Sequence, residues 1–405
     1  MDAKAAILVA DRTIEIRNVH VPDSPPRGGA ILSVEGCGMC GSDIKQYEGI
    51  TARSGMMTFP CIPGHEALGR IAMLDAEAKA RWGLKEGDRV AVHGIAPCGV
   101  CTGCMTGVAC QDNFYYGFRS LDVGSGLWGG FAEAMEIDPR TRLYKVSDSL
   151  SVEDALLFNP LAAGYDWVID QGRLKVGETV LILGSGQRGL ASVIAAVEAG
   201  ASQIIVTGLR RDRFKLDIAM ELGATATLVV EDSDVPDAVK TLTGGRGADL
   251  VIETTPGAFG PVRDAIMAVR VGGTIILGGL KEGEPMNDLP FDQLLMRRIR
   301  LVGVLSSSHW ATQQAIRVIE SGRFPVERLH THTLPLAKLE HAVHLLAGDV
   351  PNEVALHISI VEQGVRNDPI DPEVIYSMAP DSGRSIFGVT ASPTRRISIF
   401  TSEPA

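Results

Sequence analysis

"ETVLILGSGQRGLASVIAAVEAGASQIIVTG", residues 178–208, decides the architecture of the central part of the chain. Val180–Leu183 reads as a short apolar strand, and a glycine turn follows it. Leu190, Val193, Ile194 and Val197 then recur at helical spacing, with Gly200 placed as the stop. Gly184, Gly186 and Gly189 fill G-x-G-x-x-G between strand and helix, with Gln187 and Arg188 inside the turn. Glycine there permits a tight turn and lets a pyrophosphate approach backbone N–H groups at a helix N-terminus. On its own this pattern is weak, but strand–helix alternation continues beyond it. Further strands are expected at Ile204–Thr207, Thr227–Val230, Leu250–Glu253, Thr274–Leu277 and Leu301–Val304. One intervening helix presents Phe214, Ile218 and Leu222 and ends at Gly223. Six strands make a whole doubly wound parallel sheet, over about residues 159–300.

Outward from that unit, 405 residues are too many for one core and imply about two domains. A hydrophobic fraction of 45% with 45 glycines fits a loop-rich globular interior rather than disorder. The net charge of −11 would repel a phosphate backbone, which argues against a nucleic-acid partner. No apolar run reaches the roughly 18 residues of a membrane span. The start, "MDAKAAILVADRTIEI", is charged and lacks a secretory core, so a cytoplasmic location is expected. In that compartment, seven cysteines are not expected to form disulfides. Four of them, Cys98, Cys101, Cys104 and Cys110, fall in "CGVCTGCMTGVAC" with short gaps that let thiolates converge on one ion. A closed tetrahedron of thiolates leaves zinc no open position, so this site is expected to be structural.

Chemistry therefore needs other residues. "GCGMCGSDIKQYEG" offers Cys40, Ser42 and Asp43, and "FPCIPGHEALG" offers His65 and Glu66. Separately these are weak signals. With the cysteine lobe, "LWGGFAE", "NPLAAG", "GSGQRG" and "LGA" in one order, residues 1–362 resemble the zinc-containing medium-chain dehydrogenase/reductases. That family includes alcohol, polyol and threonine dehydrogenases. The resemblance implies an α/β chain in which a β-rich GroES-like catalytic domain, residues 1–158 and 301–362, is interrupted by a Rossmann domain at 159–300. It also implies that Cys40 and His65 are ligands of a catalytic zinc, that Ser42 takes the substrate alcohol proton, and that Asp43 orients the imidazole. Glu66 matches the acid beside the zinc, an occasional alternate ligand. Zinc would polarise the substrate oxygen while hydride moves to or from a nicotinamide ring.

Three departures qualify that picture. In "LLFNPLAAG" Asn159 stands where polyol and threonine branches carry a glutamate as third protein ligand. Cys⁻, His and Asn around Zn²⁺ leave a net +1; the other reading is that Asn159 hydrogen-bonds locally. In "IIVTGLRRDRFKL" Gly208 replaces the ribose-binding acid usual in NAD-dependent members, and Arg210, Arg211 and Arg213 follow. This favours NADP over NAD, although Asp212 is available as a helix N-cap or to face the ribose. Lys45 stands where several alcohol dehydrogenases carry a relay histidine, and it reads as a surface lysine. The gap between Cys104 and Cys110 is also two residues shorter than is usual in the family, while Cys37 and Cys61 read as core thiols.

Tyr115, Tyr116, Phe118 and Trp128 are expected near the cleft mouth, where they would suit an apolar alcohol; packing under the zinc lobe explains them equally well. The expected substrate is a small secondary alcohol, a polyol or the matching ketone. Residues 363–405 read as a tail, or as an arm of a homodimer or homotetramer. Two other classes stay open: a metal-free NADPH-dependent enone reductase on the same fold, and a non-enzymatic nucleotide-binding protein.

Overall fold

The computed structural model describes residues 1–106 and 110–361, together with the backbone of Phe400–Thr401. Six strands form the central parallel sheet: β5 (Thr179–Leu183), β6 (Gln203–Gly208), β7 (Ala226–Val229), β8 (Ala248–Glu253), β9 (Val269–Leu277) and β10 (Arg300–Gly303). Their order is β7-β6-β5-β8-β9-β10, so the direction of winding reverses between β5 and β8. Ligands of open α/β sheets bind at such a reversal. Both faces of β5, β6, β7 and β8 are covered, which is why these strands read as unbroken apolar runs, while the edge strand β10 is largely exposed. Val180, Ile182, Val206 and Ile252 join one core cluster; the alternate residues Leu181, Leu183, Ile205 and Val251 join another.

The second sheet is assembled from both sides of this unit. Its main path has the strands β1 (Ala30–Gly38), β2 (Glu66–Leu74), β3 (Arg89–Val92), β4 (Leu143–Lys145), β11 (His332–Leu334) and β12 (Ile358–Ile360), and Ala134–Ile137 pairs antiparallel with β1 off that path. The six lie in the order β11-β12-β1-β2-β3-β4. The chain is thus the expected mixed α/β fold. Because β10 pairs with β9 from Thr274↔Arg300 to Leu277↔Gly303, the parallel sheet extends three residues past the expected boundary at 300. The tail lies outside the described residues except for Phe400–Thr401, whose backbone pairs antiparallel with β7.

Four helices position the site: α1 (Gly41–Tyr47), α2 (Phe158–Tyr165), α3 (Gln187–Glu198) and α4 (Arg213–Glu221). α2 crosses α3 at Gly164, where an added Cβ would lie 2.6 Å from the Ala191 carbonyl oxygen. Only glycine permits that approach, and it fixes the helix carrying Asn159 against the helix that opens at the glycine turn. Among the described residues no helix is long and apolar enough to cross a membrane.

Candidate active site

The glycine turn uses each glycine differently. Gly184 has φ +106°, a left-handed conformation that side chains resist. Gly189 is fixed by contact, since a Cβ there would stand 1.9 Å from the Gly184 carbonyl oxygen. At Gly186 an added Cβ would meet no atom within 4 Å, so this exposed position is open to an approaching ligand. The first turn of α3 then presents free N–H groups suited to a pyrophosphate. Gly208 ends β6, and a Cβ there would lie 2.7 Å from Ser185 Oγ, so the strand end abuts the turn.

Beyond Gly208 the arginines divide. The Arg210 backbone N–H donates to the Glu231 carboxylate, and its guanidinium pairs with Asp232. Arg210 is therefore held by protein acids rather than left for a phosphate. Arg211 is exposed and has no ion-pair partner among the described residues. Asp212 precedes α4, but its carboxylate takes Lys215 Nζ at 2.9 Å instead of capping the helix.

The second constellation follows from strand register. β1 and β2 are antiparallel, with Gly38 opposite Glu66 and Cys37 opposite Ala67. Cys40, just past the end of β1, and His65, just before β2, therefore meet at one corner. Cys40 is the N-cap of α1, and its N–H donates to Asp43 Oδ2 at 2.8 Å, which fixes that turn. Donor atoms of Cys40, His65 and Glu66 lie within 4.8 Å of one another. Asp43 Oδ1 stands 3.5 Å from His65 Nδ1, Ser42 Oγ 3.3 Å from His65 Nε2, and Glu66 Oε1 4.0 Å from the same nitrogen. Glu66 is wholly buried and neither of its oxygens has a partner. Such groups are costly unless a ligand satisfies them. A soft thiolate, an imidazole and a carboxylate are a donor set that suits zinc.

Charge in this corner is strongly coupled. Burial pushes the Cys40 thiol up, but Arg188 and His65 outweigh it and bring it down to about 6. Burial and the Cys40 charge push Glu66 up to about 8. His65 is raised well above its ordinary value, because Asp43 overcomes the burial penalty. Cys37 and Cys61 are fully buried, and burial raises both thiols, as expected of core residues.

The lobe at Cys98–Cys110 brings its four sulfurs together, although residues 107–109 lie outside the described residues. Sγ–Sγ separations are 3.9 Å (Cys98–Cys104), 3.8 Å (Cys101–Cys110) and 3.6 Å (Cys98–Cys110). A tetrahedron with Zn–S bonds of about 2.3 Å has edges of about 3.8 Å, so the cage already has the size of the ion. Backbone N–H groups of Cys98, Cys101 and Asp112 donate to sulfurs at 3.3–3.4 Å, an arrangement that favours thiolates.

Other expected residues are placed differently. Asn159 is half-buried in the first turn of α2, and no group among the described residues hydrogen-bonds its side chain; that leaves the local-bonding reading without a partner. Lys45 is not a free surface lysine: it is half-buried, 3.3 Å from Glu48 and 2.6 Å from Glu282. Of the four aromatics, Tyr116 and Trp128 pack with Phe114 in the core. Phe118 does reach the site, its ring centroid 5.9 Å from that of His65, with Tyr115 behind it.

Sequence reasoning placed Arg188 only in the glycine turn. Its Nη2 lies 3.2 Å from Cys40 Sγ, and its guanidinium sits over Trp167 with 5.5 Å to the ring centroid. Gln187 Nε2 reaches the Met39 carbonyl at 3.4 Å. A charged residue at one of the unspecified positions of G-x-G-x-x-G was the only available signal. Nothing local linked Trp167 to the site.

Comparison with known proteins agrees with this geometry. Residues 26–148 match the alcohol dehydrogenase GroES-like domain, and residues 189–321 match the zinc-binding dehydrogenase domain. A probable alcohol dehydrogenase of Mycobacterium tuberculosis is 34% identical over 361 residues, 87% of this chain and 97% of the relative. The erythritol/L-threitol dehydrogenase of Mycolicibacterium smegmatis is 30% identical, covering 85% of this chain and 94% of its own. A Sinorhizobium meliloti structure bound to NADP superposes with a TM-score of 0.77 at 27% identity, over 89% of this chain and 99% of that one. With donor cluster, nucleotide turn and near-full-length relatives in agreement, the chain is an oxidoreductase belonging to the zinc-type medium-chain dehydrogenase/reductases.

Proposed function

We propose that this chain is a zinc-dependent alcohol dehydrogenase or ketone reductase acting on a secondary alcohol or polyol. Hydride would pass in the cleft between the GroES-like unit, residues 1–158 and 301–362, and the nucleotide unit, residues 159–300. The observation that carries this reading is the buried Cys40–His65–Glu66 cluster with Ser42 beside it. Cys40 and His65 would hold zinc, with Glu66 or Asn159 completing the set. Bound there, zinc supplies Lewis acidity toward the substrate oxygen. Ser42 Oγ, adjacent to His65, would take the alcohol proton while passing its own on towards solvent, and a bound nicotinamide would supply the hydride acceptor or donor. Asp43 holds the His65 ring in orientation. Phe118 packs against that ring and helps exclude water.

NADP is the favoured cofactor. Gly208 provides no carboxylate for a ribose hydroxyl, exposed Arg211 suits a 2′-phosphate, and the Sinorhizobium meliloti neighbour was solved with NADP. The acids around Arg210 weaken this preference without reversing it. The Mycolicibacterium relative, named for erythritol and L-threitol, supports polyols as the first substrates to try.

The test is NAD(P)-dependent turnover of secondary alcohols, polyols, ketones and enones by zinc-saturated protein, before and after chelation, with zinc counted per chain. About two zincs, and alcohol oxidation lost when the weaker one is removed, is the expected result. Enone reduction indifferent to chelator would establish the metal-free reductase instead. Nucleotide binding without turnover would favour the non-enzymatic class. Arg211→Ser should raise KM for NADPH and leave NADH unchanged.

A further inference from the structure

The metal corner already contains a cation. Arg188 comes from the nucleotide turn, yet its guanidinium lies 3.2 Å from Cys40 Sγ, the sulfur that zinc would need. Arginine stays protonated in proteins, so the group beside the sulfur is a full cation. A guanidinium and a divalent ion on one sulfur repel each other in a poorly solvated pocket. The same guanidinium already stands over the Trp167 ring, a contact it can keep without the sulfur. The four-cysteine cage differs. Its sulfurs are spaced for an ion, and no arginine or lysine hydrogen-bonds any of them among the described residues.

Resting on the zinc reading above, we propose that Arg188 is a resident counter-cation of the Cys40–His65–Glu66 pocket. It occupies the Cys40 sulfur in zinc-free protein and weakens zinc there, so the two sites load in order, the cysteine lobe first. When zinc arrives, the guanidinium gives up the sulfur and keeps the Trp167 face. Zinc occupancy of the active site then depends on the free zinc level, while the lobe stays filled.

The experiment is a zinc titration of the full-length apoprotein against a chromophoric chelator. It compares the parent with Arg188→Met, which keeps the length, and Arg188→Lys, which keeps the charge. Cys40→Ser identifies which step belongs to the pocket. The second zinc should bind at least tenfold more tightly to Arg188→Met than to the parent, with the first step unchanged and Arg188→Lys resembling the parent. If Arg188→Met fails to fold, Arg188→Leu and Trp167→Leu replace it; loss of the Trp167 seat should weaken the second zinc further. Two zincs bound by parent and Arg188→Met with equal affinities would overturn this inference and leave the zinc reading intact. If neither binds a zinc that Cys40→Ser abolishes, the zinc reading falls and takes the inference with it.

Discussion

Gly189→Ala puts one methyl group into the tightest contact of the nucleotide turn. Its Cβ would lie 1.9 Å from the Gly184 carbonyl oxygen and 3.0 Å from the carbonyl carbon, whereas ordinary contact begins at 3.4 Å. Both partners are backbone, so no side chain can rotate away, and the start of α3 must retreat from β5 by more than an ångström. Overpacking of this kind costs about 1–3 kcal/mol of stability. The functional loss should be larger in proportion. The first N–H groups of α3 act on a pyrophosphate only at hydrogen-bond distance, and a displacement of about 1 Å can cost on the order of a hundredfold. We expect nucleotide affinity to fall ten- to a hundredfold while the protein remains folded, as read by NADPH fluorescence titration beside urea unfolding. Gly186→Ala separates the two effects. Its backbone is extended at φ −71° and ψ 176°, and its Cβ would meet no protein atom within 4 Å. Stability should therefore hold while affinity drops. If Gly189→Ala binds nucleotide like the parent, the turn is not the pyrophosphate cradle, and the cofactor assignment built on it fails.

Two other outcomes follow from the structure. Cys104→Ala opens one corner of the sulfur cage, so zinc per chain should fall by one and the unfolding midpoint should drop, both measurable by elemental analysis and thermal melts; unchanged zinc content would rule out the four-thiolate site. Buried His330 is pushed down to about 4, mainly by burial and further by His332; its neighbour His357, 3.1 Å away, is pushed well below its ordinary value, mainly by burial. Unfolded histidine titrates near 6.5. Their contribution is therefore fully present above about pH 6.5 and is lost as pH falls towards 4, at a cost of about 3 kcal/mol for His330 alone. Urea midpoints at several pH values should show that decline, and His330→Gln should flatten it; an identical slope in the variant would refute the assignment.

The parallel sheet was legible because its central strands, covered on both faces, leave unbroken apolar runs; five of the six expected strands lie within two residues of their observed limits, and the fifth begins at Val269, five residues before the expected Thr274. The turn glycines were legible for an equally local reason, since each answers a backbone constraint within its own segment. Cys40, His65 and Glu66 were visible only as members of an ordered set; their meeting depends on the β1–β2 register, which sequence spacing does not encode. What escaped the sequence is what crosses between distant segments. Arg188 belongs by position to the nucleotide turn and by contact to Cys40. Arg210 looks like a phosphate ligand until Glu231 and Asp232 arrive from the end of the neighbouring strand. Tyr116 and Trp128 have the composition of a substrate wall but the burial of a core.

The short segment 39–45 is tied to the opposite unit at three points: Met39 to Gln187, Cys40 to Arg188 and Lys45 to Glu282. All three are polar, and the outermost is a half-exposed ion pair worth at most about 1 kcal/mol. Beneath them one apolar cluster runs through both units, with Leu68, Ala91 and Ile316 packed together with Leu161, Val180 and Leu190, so shear between the halves is resisted by that shared core and the three polar contacts act only at its rim. The rim pair of Lys45 and Glu282 parts at low cost, and salt softens it before it touches the shared core. The joint is therefore a weld at its base with a latch at its lip, and the latch can release while the weld holds.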